Sequence, residues 1–254
     1  MSHTMKVQSF EVLLKWILKE YEEQQSIFGI HRSLFYTPQK DSPYAIADMF
    51  GQYLAAPIGP AAGPHTQLTQ NIISSWLSGG RFMELKTVQI MDELEIARPC
   101  IDMEDEGYNV EWSQELKLEQ SVQEYIKAWA LIHILHQFLG FEGPVGTIFN
   151  MSVGYNLEGI QSERMQRFMD TMADASAEIA QIKEKISAEF PQFSQVEIPN
   201  QIINSVTLST MHGCPPEEIG RIARYLLEER KLHTTVKLNP TLLGKDRVMG
   251  ILHD

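Results

Sequence analysis

Phe82-Met83-Glu84-Leu85-Lys86-Thr87-Val88 and Thr234-Thr235-Val236-Lys237-Leu238-Asn239-Pro240 share one design, a strand-like run carrying a single lysine toward its C-terminal end. Strands covered on both faces read as near-continuous apolar stretches, and a buried ammonium is costly unless it meets an anion or a polar ligand. In repeated β-α architectures the C-terminal ends of the strands form the ligand rim. Lys86 and Lys237 therefore mark the floor of a site for an electron-rich group.

The same alternation extends outward from these two runs. Residues 8–25 have helical periodicity. Residues 43–63 read as a short hairpin leading into a first strand at Tyr53–Ile58, closed by the small-residue turn Gly59-Pro60-Ala61-Ala62-Gly63-Pro64. A helix opening at His65 or Thr66 runs through Trp76, and Gly79-Gly80 stops it. Strand 82–88 is followed by an acidic excursion, Asp92 to Trp112, and a helix over 117–139. Strand 146–153 leads to one long helix near 161–188. Strand 203–209 leads to Pro215-Pro216-Glu217-Glu218, a helix start with proline first and acids in the first turn. Strand 233–238 and a helix over 243–252 complete the pattern.

About five βα units imply a parallel sheet with right-handed crossovers. A TIM (β/α)8 barrel fills a similar length with eight units. The chain thus reads as an incomplete barrel, part of a longer polypeptide, with residues 1–42 as an N-terminal extension and 43–254 as the partial barrel. A five-strand flavodoxin-like domain is the competing architecture.

Composition narrows the class. The 254 residues are 43% hydrophobic, enough for a sizeable core, and carry a formal net charge of -12, which argues against a nucleic-acid partner. No apolar run approaches the roughly 20 residues of a membrane span. Met1 to Lys6 has no apolar signal core, and Met1 to Thr4 reads as a cloning remnant. The two cysteines, Cys100 and Cys214, are far apart, which excludes a C-x-x-C zinc site or a cysteine-ligated iron–sulfur cluster built from this chain alone. A reduced, cytoplasmic setting is expected.

Several residues carry candidate chemistry. The Gly59–Gly63 turn lets backbone approach a flat ligand, but it has neither G-x-G-x-x-G spacing nor a P-loop. Each lysine can donate to a ligand, form a Schiff base, or snorkel to solvent. Asn150, flanked by Phe149 and Met151, needs a partner in a ligand or in neighbouring backbone. Cys214 follows Gly213 and precedes a helix start, where the dipole favours thiolate, with His212 able to assist; an inert buried thiol is the alternative. His133 and His136 stand three apart on a helix with no third metal ligand evident, so core or surface roles are favoured and no metal is expected.

The motifs PIGPAAG, ELKTV, FNMSVGYN, VTLSTMHGCPPEEI and VKLNP resemble dihydroorotate dehydrogenase and the matching domain of dihydropyrimidine dehydrogenase. GPAAGPHTQLTQNI, GGRFMELKTVQI, FNMSVGYNLEGI and STMHGCPPEEI are closer still to the N-terminal region of the YgfK-type selenate reductase family. This resemblance implies an FMN-binding TIM barrel of the dihydroorotate dehydrogenase type, within an oxidoreductase whose missing remainder holds further strands, iron–sulfur clusters and an FAD/NAD(P)-linked region. Ala62 and Gly63 match a loop whose backbone meets the flavin. Lys86, Thr87 and Asn150 match flavin contacts, Lys237 matches the lysine at the pyrimidine edge, and Cys214 matches the proton-transferring cysteine. The expected partners are a small-molecule substrate, the remaining domains and redox subunits. The pyrimidine-oxidising families have Asn-Leu-Ser-Cys-Pro on the fourth strand; here Thr207 takes the Asn place and Cys214 lies farther along. Two other readings compete with a flavin enzyme: a Schiff-base lyase using Lys86 or Lys237, and a docking module using the acidic loop 92–112.

Overall fold

The computed structural model describes residues 6–39, 42–91, 116–210, 213–238 and 243–253. Helix α1 (Phe10–Gln24) starts where the Ser9 hydroxyl accepts from the Val12 N–H, and it buries Phe10, Leu13, Leu14 and Ile17. Two antiparallel hairpins follow. The first pairs β1 (Ser26–Ile27) with β2 (Ile30–His31), and the second pairs β3 (Ile46–Met49) with β4 (Gln52–Leu54). Both turn through consecutive positive-φ residues, Phe28-Gly29 and Phe50-Gly51, the backbone that matches strand twist in a two-residue loop. Helix α2 (Thr69–Leu77) leads to β5 (Phe82–Glu84), and α3 (Leu118–Phe138) leads to β6 (Ile148–Val153). Helices α4 (Leu157–Ile160), α5 (Glu163–Ala173) and α6 (Ser176–Glu189) precede β7 (Ser205–Ser209). Helix α7 (Ile219–Arg224) precedes β8 (His233–Lys237), and α8 (Lys245–His253) is the final helix.

Strands β5, β6, β7 and β8 form one parallel sheet in sequential order. A flavodoxin-like sheet reverses direction at a switch point between its strands. The described strands show no such reversal, so they follow the winding of a TIM barrel.

Alternation along each strand divides the sheet into two chemically distinct faces. Met83, Leu85, Phe149, Met151, Val153, Val206 and Leu208 join the helices in one buried core. The opposite face carries Glu84, Asn150, Ser152, Thr207, Ser209, Thr235 and Lys237. A flat sheet would hold β5 and β8 about 14 Å apart, three strand spacings, with side chains standing off the surface. Yet Lys237 Nζ lies 3.0 Å from Glu84 Oε2. The sheet must therefore curl toward its polar face. Phe50, at the tip of the second hairpin, supports this: it stacks on His233 of β8 at 5.0 Å and meets Phe82 of β5 at 6.4 Å. That hairpin is pinned at the N-terminal end of the face, where Gln52 donates to Asn204 Oδ1 and Asn204 donates to the Phe50 carbonyl.

Three sequence expectations need correction. The strand expected at Tyr53–Ile58 is hairpin only as far as Leu54. Beyond it, the Ile58 carbonyl accepts from Phe82 and the Pro60 carbonyl accepts from Glu84. Pro57 and Pro60 have no N–H to return, so this stretch lies beside β5 without a full ladder. The strand expected over 82–88 loses regular pairing after Glu84. Glu84 faces Asn150 and Val88 faces Val153, four steps against three, which is a β-bulge holding Leu85–Thr87. The single helix expected near 161–188 is divided. The Met172 carbonyl accepts from Ile202 and Ile203, and Ala175 donates to the Asn200 carbonyl, so the 200–203 segment takes up the backbone at the break.

Gly59 is the tightest point of the sheet edge, since a Cβ there would collide with the Phe82 carbonyl. Gly59→Ala must push the 57–61 turn off β5. It should cost about 1–3 kcal/mol in urea unfolding, whereas Gly220→Ala, with open space around it, should be near neutral.

Candidate active site

Glu84, the last regular residue of β5, organises the polar face. Its carboxylate accepts the Ala62 N–H at 2.9 Å and pairs with the Lys237 ammonium at 3.2 and 3.0 Å. Three distant segments thus meet at one carboxylate: the small-residue turn, β5 and β8. Its side chain is 11% exposed and that of Lys237 is 45% exposed, so the pair sits at the mouth of an open cleft. The cleft has a volume of about 590 Å³. Its walls include Gly59, Pro60, Ala61, Thr207, Thr235 and Lys237, with Met49 and Leu54 of the hairpin below. This size falls within the usual range for small-molecule sites.

Asn150 faces Glu84 in register and is 1% exposed. Its amide nitrogen donates to Thr207 Oγ1 at 2.6 Å, while its Oδ1 is buried without a partner. Thr207, standing in the Asn place of the pyrimidine-oxidising motif, supports the Asn150 amide. A row of hydroxyls crosses the sheet at the next level. Thr87 and Ser152 hydrogen-bond at 2.8 Å, Ser152 faces Thr207, and Thr207 faces Thr235.

Lys86 lies within the bulge and is 3% exposed, so it does not snorkel. Its N–H donates to the Thr66 carbonyl, its carbonyl accepts the Tyr125 hydroxyl at 3.1 Å, and its ammonium reaches the Thr87 carbonyl at 3.4 Å. Gly63 is extended and is closed by Thr66, whose hydroxyl accepts the Gly63 N–H and donates to the Gly63 carbonyl.

The structure thus brings Ala62 and Lys237 together through Glu84, with Asn150 beside Glu84 and Thr87 bonded one row along. Cys214 belongs to the hydrophobic core, and, like Ala62, Gly63, Lys86, Thr87 and Asn150, it is not among the described residues that line the cleft; of the expected site residues, Lys237 is the one on its wall. The expected thiolate is corrected. Burial, and then the Glu218 carboxylate, push the Cys214 thiol up from its ordinary range. A 3-10 turn, Pro216–Glu218, intervenes before α7, and Glu218 also accepts the Leu157 N–H at 2.7 Å and pairs with Arg221 at 3.8 Å. His212, Cys100 and the acidic loop 92–112 lie outside the described residues. His133 packs edge-on to Trp129 at 4.7 Å, and burial, reinforced by His136, lowers its pKa to about 4.

Glu84 escapes a sequence reading because its partners Ala62 and Lys237 are 22 and 153 residues away, and the bulge after it breaks the alternation that would align it with Lys86.

The Cys214 shift has a measurable consequence. In a Cys100→Ser background, iodoacetamide should alkylate Cys214 with a pH profile rising above that of a small free thiol. Glu218→Gln should move the profile part of the way back. A profile at or below the free thiol would contradict the raised pKa.

The sequence itself supports the same architecture. Residues 28–254 match the family model described as "Oxidoreductase YgfK, N-terminal TIM-barrel domain". Two curated relatives, each named "Putative oxidoreductase YgfK", come from Escherichia coli strain K12 and Escherichia coli O157:H7. Each is 50% identical over 99% of this chain and 26% of its own length. The chain therefore spans about a quarter of the curated relatives it matches. Curled parallel sheet, sequential strand order and family match agree: the chain belongs to the N-terminal TIM-barrel domain family of YgfK oxidoreductases.

Proposed function

We propose that this chain is the FMN-binding barrel segment of a longer iron–sulfur flavoprotein oxidoreductase. The observation that carries the reading is the buried, unpartnered Oδ1 of Asn150, on the same polar face as the Lys237 ammonium and the Ala62 N–H. A flavin ring offers N–H and carbonyl groups along one edge, and this set supplies one acceptor and two donors for such an edge. The groups fit the cofactor.

When bound, FMN supplies hydride and single-electron transfer between a small substrate and other redox centres. The chain's own residues would do the rest. Lys237 would place positive charge at the ring edge, and Asn150, held by Thr207, would accept a ring N–H. Lys86 and Thr87 would border the ring from the bulge, while Ala62 and Gly63 would approach it with backbone. The raised thiol pKa of Cys214 suits a proton donor rather than a thiolate nucleophile, although its place in the hydrophobic core keeps it off the cleft wall. The remaining three-quarters of the longer relatives would hold the iron–sulfur clusters and an FAD/NAD(P)-linked region, and would serve as the redox partner in a cytoplasmic enzyme. The pairing of Lys237 with Glu84 works against Lys237 as the free amine that the lyase reading needs.

The test uses the full-length polypeptide. It should purify yellow or take up FMN with quenching of flavin fluorescence. Lys237→Ala and Asn150→Ala should each weaken FMN binding by roughly 10- to 100-fold, the value of one hydrogen bond to a charged or buried group. A colourless protein that cannot be loaded would refute the proposal.

A further inference from the structure

The two donors assigned to the flavin edge are already engaged, and by the same group. Glu84 presents two oxygens in one plane. One accepts from both the Ala62 amide and the Lys237 ammonium, and the other lies 3.2 Å from the ammonium. A planar pair of acceptors meeting an ammonium and a backbone N–H is the chemistry that the edge of a flavin ring would present at this place. The carboxylate adds a full negative charge and is tethered to β5, so it needs no association entropy to compete.

We propose that Glu84 is a built-in competitor for the flavin site: it holds Lys237 and the Ala62 amide and surrenders them when FMN enters. This rests on the reading that FMN binds at Lys237. Two features support a displaceable carboxylate over a fixed structural one. Both partners reach into the same concavity from strands that are not neighbours, so breaking the pair does not break a ladder. The adjoining Asn150 Oδ1 is buried and unpartnered, so the donors of this set are engaged while its acceptor is not.

Displacement has two consequences. The free energy of breaking the pair is subtracted from FMN affinity. A carboxylate that stays near the bound ring also offsets the Lys237 charge and disfavours the more negative, reduced flavin. Glu84→Gln keeps an acceptor for the Ala62 N–H and removes the charge, while Glu84→Ala removes both.

Both variants of the full-length protein should be compared with wild type and Lys237→Ala by FMN titration and by reduction potential. Glu84→Gln should bind FMN about tenfold more tightly, a change of about 1.4 kcal/mol, and the bound flavin should become easier to reduce. A purely structural Glu84 would do the opposite to affinity and would leave the potential unmoved. Weaker or unchanged binding in both Glu84 variants, with Lys237→Ala still impaired, overturns the competitor role and leaves the flavin site standing. FMN binding that ignores Lys237→Ala overturns the site reading and this inference together.

Discussion

One carboxylate fixes the shape of the polar face. Glu84 ties β5 to β8 across a concavity and holds the turn at Ala62, so three segments separated by up to 175 residues meet within hydrogen-bonding distance. The sheet has to curl for that contact to exist. Curling in turn gathers the hydroxyls, Asn150 and Lys237 toward one space. Charges of opposite sign facing each other in a cleft are only partly desolvated, so their attraction is modest. Their geometric effect is larger: each limits where the other can point.

Proline, glycine and one extra residue shape the rim around that pair. Pro57 and Pro60 leave the first strand position without a complete ladder, and Gly59 lets it lie against the Phe82 carbonyl. The bulge after Glu84 interrupts β5 where Lys86 and Thr87 occur, and bulges commonly re-aim side chains beside functional sites. Interior faces of TIM barrels are usually filled with branched apolar residues. Here the described interior carries hydroxyls, an amide and an ion pair, which suits a chamber for a polar ligand better than a packed plug.

The elements were legible where periodicity and punctuation agreed. Helix α3 ends at Gly140 in the left-handed region, and β6, β7 and β8 fall within the apolar runs that announced them. The failures have physical causes. The break between α5 and α6 depends on backbone groups of residues 200–203, which no local pattern could reveal. The bulge depends on register against β6, a tertiary property. At the site, Lys86, Thr87, Asn150 and Lys237 were readable as polar residues in strand runs. Glu84 is not legible because its pairing with Lys237 spans 153 residues and exists only once the sheet has curled. The raised Cys214 pKa was unreadable because burial and Glu218 outweigh the dipole effect inferred from the following prolines.

If the 59–63 turn and the ends of four strands border one FMN ring, amide hydrogen exchange of the full-length protein should change on FMN binding in those segments. New protection should come at Ala62 and across 84–88, 150–153, 207–210 and 235–238, with α1 and α6 unchanged. Protection concentrated outside those segments, or none in this domain while FMN is bound, would contradict that arrangement.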